Sequence, residues 1–199
     1  MQEQIPASKL PAADAGPELM DPSSERSYAE QLNVASELVD VHVTDGHGED
    51  IAIRFESEET TYAALQRQVN RFGNGLVSLG VEPGDRVLVR FPNRPEAIVA
   101  CLAIQKIGAV ALPSMKLLRA KELEYILNDA GVTHVVVYDG LLAELEKAMP
   151  ALETLEEVVV AERGGGVEHD HRRFDELLQG GDETLEAHPT HRDDIALLL

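Results

Sequence analysis

Cysteine is almost absent from this chain. Cys101 is the single one among 199 residues, and it stands among apolar neighbours, so it reads as a packed thiol rather than a disulfide partner. Long apolar runs are missing as well, and no stretch approaches the length needed to cross a bilayer. Basic residues are scarce: 17 Lys and Arg face 36 Asp and Glu, for a net charge of −19. Such a surface repels nucleic acid and anionic lipid, which excludes both as expected partners. Lys9 is the only base in the first 25 residues, which argues against a secretory signal and for a cytoplasmic protein. Two site signatures are also missing. No serine sits in a Gly-x-Ser-x-Gly elbow, and there is no Gly-x-Gly-x-x-Gly dinucleotide fingerprint.

Apolar residues make up 44% of the chain, enough at this length for one or two domains with a real core. The acids are scattered from Glu3 to Asp194 rather than gathered in a tail. That spread predicts a solvated, self-repelling surface of the kind found where the cytoplasm holds high salt, since screening relieves the repulsion. The acidity is therefore assigned to habitat and not to chemistry.

Residues 1–30, rich in Pro, Ala, Ser and acids, read as a flexible leader. Asn33 to Val39 opens a short helix, and Ile51 to Phe55 alternates like a strand. Next come Tyr62, Leu65, Val69, Phe72, Leu76 and Leu79, spaced by threes and fours, which predicts a helix capped by Thr60 or Thr61 and stopped by Gly80. Pro83-Gly84-Asp85 turns the chain into a strand over Arg86 to Phe91. A largely apolar, buried helix follows, with Asn93 as its cap, Pro95 in its first turn and Gly108 at its end. A short strand over Ala109 to Pro113 leads to a helix from about Arg119 to Ala130, closed by Gly131, and a strand over Val132 to Tyr138. A helix near Leu141 to Met149, a strand over Val158 to Ala161 and a short helix near Phe174 to Leu178 complete the pattern. The run Ile195 to Leu199 reads as one more strand, buried on both faces. Strand and helix alternate with short connections, so the fold class is α/β: a mainly parallel sheet with helices on both faces, joined by right-handed crossovers.

Few residues announce chemistry. Gly164-Gly165-Gly166 lacks the lysine and hydroxyl of a phosphate cradle, and Glu168 and Asp170 follow it, so a flexible loop is expected there. His169-Asp170-His171 offers metal-ligand types, but alternate loop residues seldom converge without a third ligand. His134 lies beside valines and reads as a half-buried, satisfied imidazole; His188 and His191 lie in a polar loop with no nucleophile in view. One basic cluster stands out against the acidic background: Lys116, Arg119 and Lys121. It serves either as counter-charge for acids such as Glu122 and Glu124 or as an anchor for a ligand's phosphate.

Taken together, the stretch from Thr61 to Val137 resembles the AMP-forming acid–CoA ligases, the adenylating superfamily that includes luciferases and peptide-synthetase adenylation domains. The resemblance rests on Thr61-Tyr62-Ala63-Ala64-Leu65, Leu79 to Val87, Phe91-Pro92-Asn93-Arg94-Pro95-Glu96, Gln105 to Val110 and Leu117 to Leu123. The last of these looks most like the aryl branch that activates benzoate or 2-aminobenzoate. The resemblance implies the N-terminal part of an adenylating-enzyme large domain, with residues 31–199 an incomplete portion of it. It implies ATP, Mg²⁺, CoA and a carboxylic acid as reactants of the complete enzyme. In that family a strand like Asp194 to Leu199 enters a Ser/Thr/Gly-rich phosphate loop, so the chain is expected to be an inactive fragment, either a split product that a complementing chain would complete or a truncated one. Some relatives place a CoA-binding basic residue where this chain has Leu117; Lys116 and Arg119 are the residues that would replace it. A non-catalytic interaction module, or part of a peptide-synthetase or luciferase-like enzyme, is the alternative. No catalytic, ATP-binding or metal-binding residue is assigned.

Overall fold

The computed structural model describes residues 28–162 and 168–199. The expected leader, apart from residues 28–30, and the Gly164-Gly165-Gly166 loop lie outside the described residues.

Asn33 opens the first helical segment. Its side-chain oxygen accepts from the Ala35 and Ser36 amides, starting a π-helical turn, Ser36–Asp40, that runs into α1, Val41–Thr44. Strand β1, Ile51–Phe55, pairs antiparallel with β2, Glu58–Thr61. The sequence reading had no β2, because the two-residue turn between the strands carries no glycine; Glu56 instead adopts φ 54°. Thr61 caps α2, Tyr62–Ser78, its hydroxyl accepting from the Ala64 amide at 3.2 Å. Thr61 is therefore the cap, and Gly80 with φ 95° supplies the left-handed exit.

Five strands form the main sheet in the order β4-β3-β5-β6-β7, every pair parallel. They are β3 (Arg86–Arg90), β4 (Val110–Pro113), β5 (Val132–Tyr138), β6 (Glu157–Ala161) and β7 (Arg172–Arg173). Between them run α3 (Pro95–Lys106), α4 (Ala120–Ala130) and α5 (Leu142–Ala148), with α6 (Phe174–Gly180) after β7. Asn93 does not cap α3. Proline at the first helical position fixes the cap as the residue before it, and Arg94 holds that place in extended geometry.

The pleat sorts side chains into two cores. Val87, Val89, Val136 and Val159 pack with Phe72 and Leu76 of α2, Ala103 of α3 and Phe174 of α6. Leu88, Val135, Val137 and Val160 face the other way, against Leu123 and Leu127 of α4 and Leu142 and Leu145 of α5. The expected α/β sheet, with helices on both faces, is what the chain forms.

The terminal run differs from expectation. It is not buried on both faces: Leu197 is 40% exposed and Leu199 fully so. The segment lies parallel along the free side of β4, held by the Ala111 amide to the Ala196 carbonyl at 3.1 Å and the Leu198 amide to the Ala111 carbonyl at 2.9 Å. It is an edge, with β4 on one side only among the described residues. His134 also departs from expectation. It is fully buried rather than half-buried, 3.0 Å from the Thr133 hydroxyl and 3.2 Å from the Leu79 carbonyl.

No helix among the described residues is long and apolar enough to cross a membrane.

Candidate ligand site at the carboxyl ends of the strands

The sheet order creates a divergence point. After β3 the chain passes through α3 to β4 on one side, and after β5 it passes through α5 to β6 on the other. Loops leaving β3 and β5 therefore part company, and a crevice opens at the carboxyl ends of these strands, where ligands of open parallel sheets bind.

Two hollows lie there. The larger, about 450 Å³, is walled by Phe55 of the hairpin, Phe91 and Pro92 after β3, Ile98 and Cys101 of α3, and Ser114 after β4. Arg94 stands at its edge, its guanidinium 5.3 Å from the Phe55 ring centre and 5.4 Å from that of Tyr138. Its Nη2 and Nε donate to the two Glu96 oxygens at 2.7 and 3.1 Å. That paired carboxylate holds the guanidinium above its usual range. Arg94 therefore clips the β1–β2 hairpin to the sheet. The Cys101 thiol is half-buried, and burial pushes its pKa up to about 11.

The smaller hollow, about 180 Å³, lies under the loop from β4 to α4 and is lined by Arg90, Lys116, Leu118, Arg119, Gly140 and Glu144. Arg90 ends β3 on the α4–α5 face and is only 1% exposed. It donates to the carbonyls of Met115 at 2.8 Å, Lys116 at 3.2 Å and Leu118 at 2.7 Å. One guanidinium thus shapes the whole loop, while its Nε has no partner. Burial draws the Arg90 pKa down, and the nearby Glu144 charge opposes that. On the far wall, Glu144 accepts from Lys147 Nζ at 2.6 Å and from the Ala120 amide at 3.1 Å. These contacts, the Lys147 bond foremost, keep its carboxyl below the usual range.

The structure brings two of the expected basic residues to this hollow. Lys116 is exposed at the rim and makes no ion pair with the described residues. Arg119 is 76% exposed on its side chain and stands 3.7 Å from Glu144. Its counter-charge is thus Glu144 across the hollow, whereas Glu122 accepts the Arg119 backbone N–H as half of a capping box. Lys121 points to solvent from α4 and does not line the hollow. Leu117, the position expected to hold a basic residue in some relatives, is 78% exposed. Sequence reasoning missed Arg90; the available signal was an arginine at an inward-facing place directly after the apolar Val87-Leu88-Val89 of its strand.

The remaining candidates do not converge. His169 lies 2.8 Å from Glu162, while His171 lies 3.8 Å from Glu146. Among the described residues no group of three or more His, Cys, Asp or Glu side chains is placed to hold a metal. His188 packs over Gly108, whose φ of 81° and close approach leave no room for a side chain, and His191 turns back through its amide to Asp194 at 2.7 Å.

Comparison with known proteins places this geometry. Residues 41–199 match the model of a family described as AMP-binding enzyme. The acetyl-coenzyme A synthetase of Streptomyces avermitilis is 37% identical over 149 residues, 68% of this chain and 23% of that protein. The acetyl-coenzyme A synthetase of Ralstonia pickettii is 30% identical over 179 residues, 80% of this chain and 27% of that one. Among solved structures, the anthranilate CoA ligase AuaEII in complex with anthranoyl-AMP superposes with a TM-score of 0.80 at 28% identity, covering 85% of this chain and 32% of that one. A benzoate CoA ligase from Burkholderia xenovorans LB400 shares the fold, with a TM-score of 0.74 at 24% identity over 84% of this chain and 32% of that one. The chain therefore spans about a quarter to a third of the proteins it matches.

Proposed function

Because the chain belongs to the AMP-binding enzyme family, we propose that it forms the N-terminal portion, residues 31–199, of an ATP-dependent carboxylic acid–CoA ligase. The proposed reaction joins the acid to AMP with release of pyrophosphate, then passes the acyl group to the CoA thiol. The observation carrying this reading is the match of 159 consecutive residues to the family, laid on a sheet whose crevice-forming ends hold the two hollows. This polypeptide supplies scaffold: no described residue is assigned to ATP or to the Mg²⁺ that accompanies it. Lys116 and Arg119 are proposed to meet the phosphates at the nucleotide end of CoA, since both stand at a solvent-open rim near the end of β4.

An aromatic acid is the favoured substrate class, supported by the Leu117 to Leu123 stretch and by likeness to a structure that holds anthranoyl-AMP. Acetate or another short aliphatic acid is the second reading, favoured by the acetyl-coenzyme A synthetases of Streptomyces avermitilis and Ralstonia pickettii. Acid-dependent pyrophosphate release tests all of this. The purified chain alone is expected to release none. Supplied in trans with the remaining two thirds of an acid–CoA ligase, it is expected to do so, with benzoates ahead of acetate in an acid panel. In that complemented enzyme, Lys116→Ala with Arg119→Ala is expected to raise KM for CoA and leave KM for ATP unchanged. Acyl-adenylate made by the unaccompanied chain refutes the scaffold reading, and an unchanged KM for CoA refutes the assignment of Lys116 and Arg119.

A further inference from the structure

Residues 28–33 and 188–192 stand at opposite ends of the described chain, yet they close on each other and on the end of α3. The Leu32 amide donates to the Thr190 carbonyl at 2.9 Å, and the Thr190 hydroxyl donates back to the Leu32 carbonyl at 2.7 Å. The Arg192 amide donates to the Glu30 carbonyl at 2.9 Å, so the two segments run antiparallel around a bridge from Gln31 to His191. Asn33 lies beneath this pairing and is buried. Its Nδ2 faces the carbonyls of Gln105 at 3.1 Å, Lys106 at 3.2 Å and His188 at 3.1 Å. A side-chain amide has two N–H donors, so three carbonyls share them and one side chain ties three segments. One further bond carries the knot to the terminal run. Gln105, whose carbonyl accepts from Asn33, donates through Nε2 to the Ala196 carbonyl at 3.4 Å. That carbonyl also accepts from the Ala111 amide of β4 at 3.1 Å. The run is therefore held from β4 on one side and from α3 on the other. The knot is nonetheless built to open. Glu30, Gln31, His191 and Arg192 are exposed, which leaves the paired backbone open to water. A void of about 40 Å³ remains where Leu32, Gln105, Gly108, Thr190 and Ile195 meet, and its walls forfeit packing contacts.

We propose that residues 28–33 form a strap that controls the terminal run. Closed, the strap fixes Ile195 to Leu199 along β4. Opened, it releases residues 188–199 as one unit and uncovers the β4 edge, while the rest of the sheet stays intact. Asn33 is the positioning residue, and it acts on the run through His188 and Gln105. Any strand that takes the β4 edge in place of the run favours the open strap, and an open strap favours that strand by the same factor.

Amide hydrogen exchange of the 199-residue chain, read residue by residue by NMR, tests the coupling. Leu32 and Arg192 report on the strap and Ala111 on the run, because their amides donate into those contacts; the β5 amides serve as reference. Asn33→Asp keeps the oxygen that accepts from Ala35 and Ser36 and removes the donor, which separates the helix start from the knot. It is expected to speed exchange at Leu32, Arg192 and Ala111 alike, by about tenfold, with β5 unchanged. Thr190→Val removes only the hydroxyl bond to the Leu32 carbonyl and touches neither α3 nor β4. It is expected to speed the same three amides by about fivefold, and it decides the matter if Asn33→Asp does not fold. Faster exchange at Leu32 and Arg192 with Ala111 at the parent rate overturns the proposal, since strap and run then open separately. Equal acceleration in β5 overturns it too, because the opening is then global, and so does exchange at the parent rate at all three amides.

Discussion

Removing the carboxylate of Asp40 tests the packing logic of the whole molecule. Lys106, the last residue of α3, is 2% exposed, and its ammonium lies 2.7 Å from Asp40 Oδ1 and 2.7 Å from Asn70 Oδ1. Asn70 is locked in the useful orientation because its Nδ2 donates to the Glu183 carbonyl at 2.7 Å. Asp40 also accepts from Gln66 Nε2 at 2.9 Å and from Ser36 Oγ at 3.0 Å, and its side chain is 19% exposed. The pair is therefore unequal: the cation is sealed and the anion touches water. Asp40→Ala leaves a buried ammonium with one neutral acceptor, which costs about 3 to 5 kcal/mol by the precedent of broken buried pairs. Lys106→Met keeps the apolar stem and leaves a carboxylate that still has Ser36, Gln66 and water, for a cost of about 1 to 2 kcal/mol. Urea denaturation followed by circular dichroism measures both. With a slope of about 2 kcal/mol per molar, the Asp40→Ala midpoint falls by roughly 1.5 to 2.5 M. The combined Asp40→Ala, Lys106→Met variant is expected to be more stable than Asp40→Ala alone, because the stranded charge is gone. Should Asp40→Ala lie within about 0.5 kcal/mol of the parent, or the double variant be the weakest, Lys106 is not held as argued.

Two further outcomes follow from charge and burial. Cys101, with its pKa pushed up to about 11, is expected to react with iodoacetamide at pH 8 about a hundredfold more slowly than a free thiol, and faster as pH rises toward 11; labelling at the free-thiol rate refutes the burial of its thiol. The net charge of −19 predicts a melting temperature that climbs as KCl is raised from about 0.1 to 2 M, where screening is nearly complete, while the destabilisation caused by Asp40→Ala stays nearly constant because that pair is shielded by protein; a melting temperature insensitive to salt removes the high-salt interpretation of the acids.

What was legible in the sequence was whatever local periodicity controls. The α2 stripe from Leu65 to Leu76 buries as its spacing dictates, and Thr61 and Gly80 mark its ends as their chemistry requires. The β1–β2 hairpin escaped because its turn relies on Glu56 in a conformation that carries no residue signature. Arg90 and Lys106 escaped for a different reason. Each is a charge at the end of a largely apolar element, and what satisfies it lies far along the chain: Lys106 meets Asp40 across 66 residues and Arg90 meets Leu118 across 28. No window of neighbouring residues contains those partners, so a local reading assigns such side chains to solvent by default.

The contrast between two apolar runs carries the same lesson to the site. Val158-Val159-Val160 and Ile195 to Leu199 have the same local character, yet the first is buried throughout and the second is partly buried, with Leu197 and Leu199 exposed. The difference is place in the sheet: β6 lies between β5 and β7 and under two layers of helix, whereas the terminal run has β4 on one side alone among the described residues. Burial is thus set by strand order, and strand order also sets where the crevice opens. Because β3 and β5 are neighbours whose connections diverge, Arg90 at the end of one and Gly140 just after the other come to line a single hollow, although 50 residues separate them. The basic cluster was visible as composition; the floor beneath it came into being only when the strands were ordered.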